Sequence, residues 1–114
     1  MEFNDLSNWG VNLKETFSRF VDDKDFYISC LRTFTSEEGF LVLKEAMEKK
    51  NYQRAFEVAH SLKGLTGNLG LTPLYESICV FVESLRHEDY SHIEEEYQKV
   101  IEKKEEFLEI MKDK

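Results

Sequence analysis

Apolar residues in this chain recur at helical spacing almost from end to end, and the breaks between runs fall on capping signals. One proline and five glycines in 114 residues argue against a turn-rich β protein. Phe3 to Trp9 reads as a short helix ended by Gly10. Asn12 with Glu15 fits a capping box, in which each side chain serves the other's backbone amide, opening a short helix over Leu13 to Phe20. Asp22 or Asp23 can cap the next helix, which carries Phe26, Ile28, Leu31 and Phe34. Thr35 with Glu38 fits a second box before Phe40, Leu43, Ala46 and Met47. The pattern leaves open whether 24–49 is one kinked helix or two.

Asn51 can cap a helix ending near Gly70. Thr72-Pro73 predicts a start, with a capping hydroxyl followed by proline at the first helical position. Ser91 with Glu94 predicts the opening of the last helix, striped by Ile93, Tyr97, Val100, Phe107 and Met111. The fold expected is all-α and a single domain over 1–114. Four helices, at 36–50, 51–69, 72–88 and 91–112, would form an antiparallel bundle capped at one end by the short N-terminal helices. Cys30 and Cys79 lie among apolar residues and are expected to be buried core thiols.

Composition narrows the partners. Hydrophobic residues at 41% are enough for a packed core, while a formal charge of −8 argues against nucleic acid and against anionic membrane surfaces. No apolar run approaches the ~20 residues of a membrane span. Met1 to Asp5 has neither the basic nor the apolar region of a signal peptide, so a cytoplasmic, monomeric protein is expected.

The informative stretch is 51–70. With about 100° between successive residues, Ala55, Val58, Ala59, Leu62, Leu65, Thr66 and Leu69 fall opposite His60 and form the core face. His60 then points outward, surrounded by Gln53, Phe56, Glu57, Lys63, Gly64 and Gly67. Two glycines inside a helix cost roughly 1 kcal/mol each relative to alanine, and both lie on the histidine's face. Close packing of a neighbouring helix is the ordinary explanation, but these glycines face away from the core stripe. A neutral imidazole nitrogen is a competent nucleophile toward phosphorus. Lys63, one turn on, can give charge-assisted hydrogen bonds to phosphoryl oxygens, and Gly64 leaves room for them.

Ala59-His60-Ser61-Leu62-Lys63-Gly64, followed by Asn68-Leu69-Gly70, resembles the signature of the histidine-containing phosphotransfer (HPt) family: His, any residue, Leu, Lys, Gly, then Leu-Gly five residues on. The likeness extends over about residues 10–90, through Leu31, Phe34, Leu43, Ala46 and the Leu74 to Arg86 helix. It implies phosphorylation of His60 at Nε2, with Lys63 and Gly64 in support, and an all-helical bundle without kinase activity. The implied partners are response-regulator receiver domains, including that of a hybrid sensor histidine kinase. No cofactor or metal of the chain's own is implied, since Mg²⁺ would belong to the receiver's aspartate site. The sequence departs from the family at Leu65, where a small residue is common; the helical wheel places Leu65 on the core side. The residue that orients the second imidazole nitrogen cannot be assigned from the sequence.

Three other readings compete. His60, His87 and His92 as metal ligands would need a partner copy of Glu57-x-x-His60, which is absent. An enzyme would need a phosphate loop or a nucleophile–base arrangement, and neither motif is visible. A helical adaptor that binds a receiver or a partner helix without phosphotransfer has no use for His60. On the docking face, Gln53, Phe56, Glu57 and Gly67 are the candidate partner contacts. Phe56 is read either as an anchor for the receiver or as a residue covered by an N-terminal helix.

Overall fold

The computed structural model describes residues 1–112, and these form seven helices with no strand among them. Helix α1 spans Phe3–Trp9, α2 Leu13–Arg19, α3 Lys24–Thr35, α4 Gly39–Glu48, α5 Tyr52–Asn68, α6 Thr72–Arg86 and α7 Ile93–Met111. No helix among the described residues is long and apolar enough to cross a membrane.

The caps explain most boundaries. Asn12 accepts from the Glu15 amide, Asp23 from that of Phe26, and Asn51 from that of Arg54. Asp23, not Asp22, therefore opens α3. Gly10 ends α1 at φ 134°, a backbone region that side chains other than glycine rarely adopt.

Three expected caps fail, two of them because a closer partner takes the side chain. The Thr35 hydroxyl donates to the Arg32 carbonyl at 2.6 Å inside the last turn of α3. It caps nothing, and α4 starts behind Glu38 without a side-chain cap from that residue. The Glu37 carboxylate accepts from the Gly39 amide instead, so 24–49 is two helices. Thr72 lies within α6 rather than before it: Leu71 holds the cap position and Thr72 and Pro73 are the first helical residues. Ser91 is drawn into a turn by Asp89, whose carboxylate accepts from both its amide and its hydroxyl and is held below its ordinary pKa by them. Helix α7 then opens behind His92 with no side-chain cap. Cys30 and Cys79 are free and only half-buried, so neither is a core thiol.

Packing is sequential: α4 lies against α5, α5 against α6, α6 against α7, and α3 reaches α7. The core holds Leu31, Leu43, Leu62, Ile78, Phe81 and Phe107. Aromatic edges tie the N-terminal helices to it. Phe17 sits between Phe3 and Tyr27, with ring centroids 5.1 and 5.8 Å away, and Trp9 donates from Nε1 to Glu106 of α7 at 2.9 Å.

Helices α2 and α3 also complete the end of α5. A helix leaves its last four carbonyls without intrahelical partners. Here the Arg19 guanidinium donates to the Gly67 and Asn68 carbonyls at 3.3 Å, and the buried Tyr27 hydroxyl donates to Leu69 at 2.8 Å. Gly70 turns the chain at φ 73°, where a Cβ would collide with Thr16 Oγ1.

Tyr27→Phe should lower stability by about 1–3 kcal/mol, because it leaves the Leu69 carbonyl buried without that donor. Burial pushes the Tyr27 hydroxyl above its ordinary range despite the opposing charge of Arg19. The folded state thus favours the neutral phenol. Wild-type stability should fall as pH rises through about 10, where the unfolded phenol ionises, and Tyr27→Phe should flatten part of that fall in alkaline thermal melts.

Candidate functional site

Helix α5 packs on both α4 and α6, so its exposed surface is reduced to one strip. Ala55, Ala59, Leu62 and Thr66 are buried, with Leu69 just past the helix end; Ala55 and Ala59 let the flanking helices approach closely. The Thr66 hydroxyl bonds back to the Leu62 and Lys63 carbonyls, which satisfies it inside the core. On the opposite side His60 is exposed, with Gln53, Glu57, Ser61 and Gly64 exposed around it.

Two positions on the expected core face differ. Val58 is only half-buried, and Leu65 keeps 39% of its surface exposed. Leu65 lies at the edge of the core arc and joins the lining of a surface groove of about 510 Å³ beside His60.

Phe56 is not covered by an N-terminal helix. It is half-buried, and the cover comes from α6: the Arg86 guanidinium stands 5.3 Å over its ring. The other edge faces His60, with ring centroids 5.8 Å apart at 53°. Gln53 and Glu57 engage each other at 3.2 Å, and Glu57 also pairs with Arg54 at 3.6 Å.

The two glycines separate. A Cβ on Gly67 would lie 2.9 Å from Tyr75 Cε1, so this glycine admits the Tyr75 ring of α6. A Cβ on Gly64 would meet nothing within 4 Å. Lys63, just before Gly64, is half-buried, and no ion pair engages it among the described residues.

His60 makes no hydrogen bond among the described residues; its one ring neighbour is Phe56. Across α6, Tyr75 faces Gly67 and Arg86 faces Phe56. Val82 is buried and apolar, and the Glu83 carboxylate is taken by Arg86 at 3.2 Å and His87 at 3.3 Å. His87 and His92 are exposed, the latter 3.9 Å from Glu95. No group of three His, Cys, Asp or Glu gathers as a metal site among the described residues.

Arg19, Tyr75 and Arg86 were not read from the sequence as site residues. Tyr75 stands just off the apolar stripe of its helix, a faint signal. Arg19 lies 48 residues before Gly67 and gave none. The Tyr75 hydroxyl is raised above its ordinary range, first by a hydrogen bond with the Cys79 thiol one turn on.

Comparison of the chain with protein-family models, with curated proteins and with solved structures finds no match.

The glycines should respond with opposite signs. Gly64→Ala should stabilise the protein by up to about 1 kcal/mol through helix propensity. Gly67→Ala should destabilise by about 1–3 kcal/mol, because the Tyr75 ring must move. Denaturant melts of both variants check the pair.

Proposed function

We propose that this chain is a phosphoryl carrier of the HPt type, in which α4 to α7 act as an antiparallel four-helix bundle presenting His60 to receiver domains in the cytoplasm. The observation that carries the reading is Gly64. The helix gives up stability there with no internal contact in return, one turn from an outward-facing imidazole. A requirement imposed from outside the molecule, close approach of a phosphoryl group and the site delivering it, accounts for the missing side chain.

The chemistry needs little from the carrier. With its proton on Nδ1, the His60 imidazole attacks the phosphorus of a partner's aspartyl phosphate through the Nε2 lone pair. The N–P bond forms as the P–O bond to the aspartate breaks, and the carboxylate leaves with the electron pair. The proton stays on Nδ1, so the product is a phosphoimidazolium, and the reverse step delivers the group to a second aspartate. Lys63, without a carboxylate partner among the described residues, supplies charge to the phosphoryl oxygens. Phe56, wedged between Arg86 and His60, restricts the imidazole's rotamers in place of a hydrogen bond. The chain carries no kinase activity of its own.

Incubation with a panel of phosphorylated receivers should label the wild type with acid-labile, base-stable phosphate, whereas ATP alone should not. His60→Gln should abolish labelling with the helical circular dichroism unchanged. Label retained in that variant, or no label from any receiver that binds, would refute the carrier reading; binding without label would leave an adaptor. Lys63→Ala should slow transfer or shorten the phosphohistidine lifetime by about ten- to a hundredfold without abolishing it, the worth of one charge-assisted contact.

A further inference from the structure

The groove beside His60 has a charge character opposite to that of the chain. The protein carries 23 acidic against 15 basic residues, yet no carboxylate among the described residues lines this groove; its charges are Arg19 and Lys63. The floor is α5 backbone laid open at Gly64, and Tyr75 stands against Gly67 on the α6 side. At the far end lies the C-terminus of α5, whose bare carbonyls would repel an anion. Arg19 changes that. Reaching over from α2, it covers the Gly67 and Asn68 carbonyls while its side chain stays 35% exposed, so the end of the groove presents a cation. Glu15 sits 3.3 Å from Nη1, and it lines the adjoining groove together with Glu76.

Glu15 pairs with Arg19 as carboxylates pair with the lysines of α7, so Lys63 is the groove cation without such a pair among the described residues. Lys99 lies 3.7 Å from Glu102, Lys103 3.1 Å from Glu106 and Lys104 3.4 Å from Glu105. A positive strip with an open backbone floor, on an otherwise acidic molecule, selects an acidic partner segment by charge complementarity.

We infer that the groove from His60 to Arg19 seats an acidic surface segment of the protein that exchanges the phosphoryl group, with Lys63 meeting the transferred group and Arg19 fixing the segment's register two turns away. The inference rests on the carrier reading for the partner's identity, but the groove's preference for acidic peptide is measurable without any transfer. Arg19 is a positioning residue here, since it touches no reacting atom.

The probe is an acetylated octapeptide of alternating aspartate and glycine, titrated into ¹⁵N-labelled protein at about 20 mM salt, where exposed charges are weakly screened. Shifts should concentrate on the Gly64 and Gly67 amides and the Arg19 Nε resonance, with α7 unmoved. Arg19→Gln should weaken binding about two- to fivefold, as expected for one exposed charge contact, and Glu15→Gln should tighten it. Arg19→Lys separates charge from structure. It loses the fork on the two carbonyls, so its melting temperature should fall with that of Arg19→Gln, while its affinity stays near wild type. His60→Gln should still bind. Shifts centred on α7 or spread evenly over the surface would overturn the inference, as would unchanged affinity in Arg19→Gln. Binding that survives in a protein that takes no phosphate would refute the carrier reading and leave the groove assignment standing.

Discussion

The site depends on how α5 is held. Helices α4 and α6 pack on its two sides across Ala55, Ala59 and Leu62, and this burial fixes the rotation of the helix about its axis. Once that rotation is fixed, His60 and Gly64 have only the solvent strip to occupy. A change of one residue in phase would turn the imidazole by about 100° into a neighbouring helix. The outward histidine is thus a consequence of core packing, and substitutions in the core face of α5 would reach the site by rotating it.

The N-terminal third is tied to the same helix from its other end. Arg19 and Tyr27 together take the Gly67, Asn68 and Leu69 carbonyls, which a helix terminus otherwise leaves to water or to nothing. Helices α2 and α3 therefore do more than cover apolar surface: they close the backbone accounting of the helix that carries the candidate nucleophile. The same contact brings a cation to the end of the His60 groove, so the stability of α5 and the charge of its exposed strip share one residue.

Much of this was legible in the sequence. Helical spacing located the helical stretches but left 24–49 undivided, and the phase of α5 followed from Ala55, Ala59, Leu62 and Thr66, because apolar periodicity reports burial directly. What failed was local competition. Asp89 took Ser91, and Arg32 took Thr35, and no spacing rule sees a nearer acceptor. Gly67 looked as free as Gly64 because a helical wheel shows one helix and not its neighbour; only the Tyr75 ring tells them apart. Leu65 and Phe56 lie at the margins of the core arc, where burial is decided by what the next helix brings. Arg86 covers Phe56, and nothing comparable covers Leu65.

The central claim is that the phosphoryl group resides on His60. Its most direct measurement is ³¹P and ¹⁵N NMR of the whole chain after treatment with phosphoramidate, a small donor that needs no partner protein. The account predicts one Nε2-phosphohistidine resonance, assigned to His60, with the amides of Lys63 and Gly64 shifting as it appears. Phosphate on His87 or His92, or a His60 that stays unmodified while the donor is consumed elsewhere on the chain, would contradict it.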